Sequence, residues 1–243
     1  AWTHWCLWAF GGNLVDADDQ VIVNSPETVA ALEYAAALHR SWAPGTATWV
    51  DADNNRAFLD EEIWLTNNGV SIYATAKAEA SASPDPEADR EGRVARMARI
   101  AADMNHALWP IGPVGRPTEF HICYPLHGMR YTQFPNAVQA FMQFMMEAEK
   151  YEPWLDAAVG YLSHAYNAGD DFAFWERDPK ILVAKHAGSR TLTAGHLGSV
   201  GARAAAALAD FILLDMFANV CTGRETPQAA MRLAERQARQ IYG

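Results

Sequence analysis

Proline stands at or near the start of a helix in four places along this chain, and this punctuation restricts the fold more than any other feature. The ring fixes φ near −65° and removes an N–H that the first turn of a helix does not need, so proline is tolerated there and disfavoured further in. Ser25-Pro26 and Thr226-Pro227 each add a hydroxyl N-cap in front of the proline. Behind the first, Val29, Leu32 and Ala36 form the buried stripe of a helix running to about Arg40. Behind the second, a final helix extends to Tyr242. Pro135-Asn136 opens a helix of large apolar residues, "AVQAFMQFMMEAEKY" (137–151), and Pro153 opens a second short one. Trp2, Trp5, Cys6 and Ala9 fall at helical spacing over residues 2–10, closed by Gly11-Gly12. Further helices are predicted in "DADNNRAFLDEE", in a basic segment ending near His106, in "DPKILVAKHA", and from Ala202 to Cys221 before Thr222-Gly223.

Strand signals are fewer and shorter. "VDADDQVIV" predicts a turn and a short strand, "IWLTNNG" (63–69) a buried strand ending in a turn, and "FHICYPL" another strand. "APGTATW", "SASPDPEADREG" (81–92) and the glycine-rich "GHLGSVG" read as loops, and "WPIGPVGRPTEF" (109–120) as an extended connector. No internal repeat is present. A helix-rich chain with about four short, scattered strands suits an α/β or mixed fold better than a helical bundle. Its 243 residues, half of them hydrophobic, allow one large domain or two small ones.

Several functional classes are excluded or disfavoured. A net charge of −10 argues against nucleic acid, whose binders need a basic stripe. The arginines of "REGRVARMAR" (90–99) read as a solvated helix face. The three cysteines are widely separated and read as buried free thiols. "HIC" (121–123) offers two side chains on one strand face, short of a metal site. The apolar stretch 204–221 is interrupted by Asp210 and Asp215, so it is not read as a membrane span. No GxSxG elbow is present. "GHLGSVG" lacks the preceding strand, the lysine and the downstream acid of a phosphate or dinucleotide loop, so no cofactor is expected. The paired acids Glu61/Glu62, Glu147/Glu149 and Asp170/Asp171 read as surface charge, and the eight histidines show no HExxH spacing.

The tryptophans are different. Nine is a high number for this length, and Trp2, Trp5, Trp49, Trp64, Trp109, Trp154 and Trp175 fall close to turns. Each alone is most simply a core residue. Several at element ends, with Asn67, Asn68, His127 and Tyr161 in loops, suit a polar ligand with apolar faces. Sugars have that character: rings stack on their C–H faces while amides and carboxylates bond the hydroxyls.

The order of segments resembles a known family. "FGGNLVDADDQVIVNSPETVAALEYAAAL" is similar to a second-lobe segment of the extracellular solute-binding proteins of ABC importers that serve oligosaccharides and polyols. "NNRAFLDEEIWLTNNGVSIY", "PIGPVGRPTEFHICYPLHGMRYTQFPNAVQAFMQFMM" and "DFILLDMFANVCTGRETPQAAMRLAERQARQIY" resemble later segments of the same family, in the same order. Each motif is weak alone, but together they cover nearly the whole chain.

The resemblance implies an α/β, type II periplasmic-binding-protein fold of two lobes, of which this chain would be a C-terminal fragment. Residues 1–121 and 162–243 would form the second lobe. Residues 122–161 would be a returning piece of a first lobe otherwise missing, leaving Phe141, Phe144 and Met145 exposed. Family position implies ligand contacts from Trp2, from the turn of Asn68, Gly69, Ser71 and Tyr73, from Tyr161 and His164 at a hinge-like crossing, and from Asp210 and Phe211 in a late helix. The implied partners are a carbohydrate or polyol ligand and the membrane permease subunits of an ABC transporter, with the complete protein a monomer. The implied location is periplasmic or extracytoplasmic, with a signal peptide expected on the missing N-terminal part. Two rival readings stand beside this one: a carbohydrate-active hydrolase using Asp210 and a facing carboxylate, and a helical interaction module using the Met- and Phe-rich helix.

Overall fold

A computed structural model describes residues 1–81, 92–122, 124–164 and 166–243 of the chain. In chain order its helices are α1 (Trp2–Ala9), α2 (Pro26–His39), α3 (Asp53–Leu59), α4 (Ser71–Ala80), α5 (Arg93–Asp103), α6 (Pro135–Met146), α7 (Ala148–Ala157), α8 (Phe174–Arg177), α9 (Ala187–Arg190), α10 (Ala202–Ala209), α11 (Ile212–Cys221) and α12 (Pro227–Tyr242). The strands are β1 (Glu119–Phe120) and β2 (Thr191–Leu192). Two compact units result. The first comprises Ala1–Val50, Trp109–Ile122 and Arg190–Gly243, and the second Asp51–Leu108 and Cys123–Ser189.

The first unit is built on α1, which is buried on nearly every side: Trp5, Cys6, Leu7, Trp8 and Ala9 all lie in the core. A helix this apolar all round belongs to an interior, not to an amphipathic surface. Around it pack Ala31, Leu32 and Ala35 of α2, Ile212, Met216 and Phe217 of α11, and Met231, Ala234 and Ala238 of α12. The caps form as their sequences require. Ser25 accepts from the Thr28 N–H at the start of α2, and Thr226 from the Ala229 N–H at the start of α12. Past the end of α1, Gly11 takes φ of +91°, and a Cβ at Gly12 would fall 2.5 Å from Leu7, so the turn requires both glycines. The acidic turn follows as a single bridge, Val15 to Val21, with Asp16 Oδ1 accepting from the N–H groups of Asp18 and Gln20.

β1 and β2 pair in parallel, Glu119 opposite Thr191 and Phe120 opposite Leu192. Beside this pair the Glu119 carboxylate meets Arg190 at 3.0 Å, with both side chains largely buried. The strand expected over "FHICYPL" is therefore confined to its start. His121 still donates to the Leu192 carbonyl, but Ile122 is exposed and Cys123 lies outside the described residues.

In the second unit α4 packs on α5 through Ile72, Ala76, Met97 and Ile100, and Leu59 at the end of α3 joins their cluster. A neighbouring cluster gathers Val70, Tyr73, Tyr151, Leu155, Phe172, Phe174, Trp175 and Ile181. The basic face of α5 is paired, as Arg93 meets Glu79, Arg96 meets Asp60 and Arg99 meets Glu61. The loop read at 81–92 falls almost wholly outside the described residues.

Four expectations are corrected. Residues 63–69 form no strand: Trp64 is 73% and Leu65 89% exposed. An apolar run becomes a strand only beside an edge that accepts its ladder, and among the described residues none pairs with it. The helix expected to open at Pro153 begins at Ala148 and carries the proline inside it. "DPKILVAKHA" forms a 3-10 turn over Leu182–Ala184, and α9 begins only at Ala187. The long helix from Ala202 to Cys221 is split, because Phe211 adopts φ of +55° between α10 and α11. Residues 202–221 have the length and mean hydropathy of a membrane-crossing helix, yet Ile212, Leu213, Met216 and Phe217 are used in the core of the first unit. In α6 no residue is buried; Phe141 and Phe144 are exposed as expected and Met145 is half-buried.

Candidate functional site

The residues singled out by sequence divide between the two units. Trp2, Asp210 and Phe211 belong to the first, and Asn68, Gly69, Ser71, Tyr73, Tyr161 and His164 to the second.

In the first unit Trp2 opens α1 and is half-buried, with its ring edge-on to Trp42 at 4.9 Å and to Phe217 at 5.9 Å. Trp5 stands behind it at 6.1 Å and is fixed by its own indole N–H, which donates to the Pro110 carbonyl. A T-shaped contact sets the positive edge of one ring against the negative face of the other, so Trp2 is held in orientation as well as in place. Asp210 ends α10 and is exposed; Phe211 beside it is 59% exposed. A left-handed conformation is costly for an aromatic residue, and here it accompanies a ring turned to solvent instead of into the core.

In the second unit the turn before α4 is a chain of amides and hydroxyls. Asn68 donates to the Asn55 side-chain carbonyl, Asn55 donates to Ser71 Oγ at 3.1 Å, and the Gly69 N–H donates to Asn68 Oδ1. Asn68 and Gly69 remain exposed, so this prearranged polar turn faces solvent. Tyr73 lies one turn along α4 and is 5% exposed, its hydroxyl donating to Asp178 at 2.6 Å. The same carboxylate accepts from Lys77 Nζ at 3.0 Å and from the Lys180 N–H. Burial pushes the Tyr73 hydroxyl well above its usual pKa, and the adjacent Asp178 carboxylate raises it further. Burial alone would raise Asp178, but the bonds from Tyr73, Lys77 and Lys180 outweigh it and hold the carboxyl below its ordinary value.

Tyr161 is 53% exposed, just past the two left-handed residues Val159 and Gly160 that follow α7. His164 is nearly buried, with Nε2 2.6 Å from Asp170 Oδ1, while the exposed His186 meets the other oxygen of Asp170 at 2.8 Å. The bonds from His186 and then His164 hold Asp170 below its ordinary pKa. Nδ1 of His164 is buried with no hydrogen-bond partner.

Sequence reasoning missed Trp42, Asn55, Asp178 and the Asp170–His186 pair. Asp178 lies 105 residues from Tyr73 and nothing local marks it as a partner. Trp42 sits just past the end of α2, so its nearness to turns was the same signal already read for other tryptophans. One small cavity is lined by His4, Trp8, Asn13, His196 and Tyr242 among others, and a groove on α6 by Leu126, His127 and Phe141 among others; none of the nine expected residues lines either. Among the described residues no group of three or more His, Cys, Asp or Glu side chains is arranged to hold a metal ion.

Comparison with known proteins gives a consistent result. Among curated protein sequences, none matches this chain. Among solved structures it is similar to maltose-bound MalE3 of T. maritima, with a TM-score of 0.70 and 17% identity over 98% of this chain. The chain spans 56% of the length of that protein. That likeness shows the fold, the α/β fold of type II periplasmic binding proteins. The family profile described as bacterial extracellular solute-binding protein matches residues 1–183, and by that match the chain belongs to the bacterial extracellular solute-binding protein family.

Proposed function

We propose that the full-length protein binds a carbohydrate, or a polyol, outside the cytoplasm and delivers it to the permease subunits of an ABC transporter. The observation that carries this reading is the family match over residues 1–183, which supports solute binding by the full-length protein. The maltose in the related MalE3 structure supports a sugar as the solute. The side chains add their own support. In the first unit Trp2 and Phe211 are partly or largely exposed rings suited to stacking on C–H faces, and Asp210 is an exposed acceptor for hydroxyls; in the second unit, taken by itself, the Asn68–Gly69–Ser71 turn offers polar groups of the same kind. Tyr161 adds an exposed ring with a hydroxyl. In this reading Tyr73 and His164 serve from behind, Tyr73 by tying α4 to Asp178 and His164 by holding Asp170. Residues 1–121 with 162–243 would contribute the second lobe and residues 122–161, which carry α6 and α7, a returning segment of the first lobe, in a protein that works as a monomer by binding without turnover.

Thermal melting of the full-length protein against a panel of sugars and sugar alcohols tests the proposal. One or more ligands should raise the melting temperature in proportion to the logarithm of their concentration. A panel with no such ligand, or cleavage of a glycoside by the purified protein, would refute it.

A further inference from the structure

We propose that Trp42 determines specificity at the binding surface: with Trp2 it forms an aromatic corner that accepts a pyranose ring in preference to an acyclic polyol. This rests on the sugar-binding reading above and narrows it to a class of ligand.

The two indole rings lie 4.9 Å apart at 83°. Each is braced from elsewhere, Trp42 by His39 at 5.1 Å and 71°, and Trp2 by Phe217 at 5.9 Å and 84°. Trp42 is fixed to the end of α2 by its backbone N–H, which donates to the His39 carbonyl at 3.1 Å. The corner is therefore built before any ligand arrives.

Its tryptophans also differ from Trp5 and Trp175 of the core. The indole N–H of Trp5 donates to the Pro110 carbonyl and that of Trp175 to the Gly169 carbonyl, so each of these two buried rings has its one donor satisfied. Among the described residues neither Trp2 nor Trp42 gives its indole N–H to a protein acceptor, and both rings are half-buried. Each presents apolar surface with an uncommitted donor at its rim, a pairing that matches a sugar's C–H face bordered by hydroxyls.

Two planes at right angles discriminate by rigidity. A pyranose is already a ring with an apolar face and an apolar edge, and it meets both planes without freezing torsions. An acyclic polyol must fix several rotors in one arrangement to present its methines to both, and that ordering opposes binding.

The test is calorimetric titration of the full-length wild type, Trp42→Leu and Trp42→Phe with glucose, maltose and sorbitol, alongside the melting temperature of each unliganded protein. The wild type should bind glucose or maltose at least about tenfold more tightly than sorbitol, because of the ordering difference. Trp42→Leu should lose most of that preference while melting within about 2 °C of wild type, which is a small shift for a protein this size. Trp42→Phe, which keeps a ring, should retain the preference. A Trp42→Leu protein with unchanged affinities and preference would overturn the proposal and leave the sugar-binding reading intact. Equal losses in Trp42→Leu and Trp42→Phe for all three ligands, with a lowered melting temperature, would also overturn it, making Trp42 a packing residue. Tighter binding of sorbitol would refute the pyranose corner alone. No binding of any of the three would refute the sugar-binding reading and this proposal together.

Discussion

Replacing Tyr73 with phenylalanine removes a single oxygen, and the structure states what that oxygen does. The ring is 5% exposed, so phenylalanine keeps its packing against the cluster around Trp175 and Ile181. What is lost is a 2.6 Å hydrogen bond to a partly buried carboxylate. A bond to a charged acceptor is worth roughly 1.5–3 kcal/mol, and Asp178 keeps Lys77 and the Lys180 N–H as donors, so the expected cost is about 2 kcal/mol. Asp178→Ala removes the acceptor shared by all three donors and should cost about 3 kcal/mol. Combining the two changes should cost about 1–2 kcal/mol less than their sum, because the residues share the bond that both remove. Urea denaturation measures these values, with separate transitions fitted if the two units unfold apart, and the loss should fall on the unit holding Asp51–Leu108 and Cys123–Ser189. Because the hydroxyl is committed to Asp178, Tyr73→Phe should leave sugar affinity within about twofold of wild type. A stability within about 0.5 kcal/mol of wild type would refute the energetic argument. A large loss of affinity at unchanged stability would instead make Tyr73 a direct ligand contact.

Other consequences follow from the same structure. His4 is buried, and that burial is the main cause that lowers its pKa from 6.5 to about 4. Its folded-state pKa is depressed, so its contribution to stability is complete above pH 6.5 and declines as pH falls towards about 4; at about 1.4 kcal/mol per pH unit the loss approaches about 3 kcal/mol. His4→Gln should flatten stability across that window, as measured by urea midpoints at successive pH values. Phe211→Gly relieves a left-handed aromatic residue with a largely exposed ring, so stability should hold or rise by up to about 1 kcal/mol while sugar affinity drops about tenfold; a parallel fall in both would contradict a binding role. Ser25→Ala removes the N-cap of α2 and should cost about 1 kcal/mol, read from the transition of the first unit.

The parts of the fold that were legible in the sequence are those set by local chemistry. Ser25-Pro26 and Thr226-Pro227 fix their helix starts through bonds made within three residues, and Gly11-Gly12 closes α1 for a steric reason visible in the residues themselves. Illegible parts depend on distant partners. Ile63-Trp64-Leu65 carries strand composition, but a strand also needs a neighbouring edge, which composition does not supply. Phe211 breaks the helix at 210–211 with no glycine or proline to announce it. At the candidate site the sequence marked the exposed rings and the Asn-Gly turn, yet nothing in it linked Tyr73 to Asp178, or paired Asp170 with His164 and His186. Trp42 came closest to being found, being one more tryptophan beside a turn, and only its geometry with Trp2 distinguishes it.

The central claim is that the full-length protein is a solute binder for sugars. Its most direct test is isothermal titration with maltose, followed by recovery of the ligand. The full-length protein should give a saturable one-to-one heat, and the maltose should be recovered intact. Absence of any binding heat, with maltose and with every other sugar or polyol of the panel, or recovery of cleaved sugar, would contradict it.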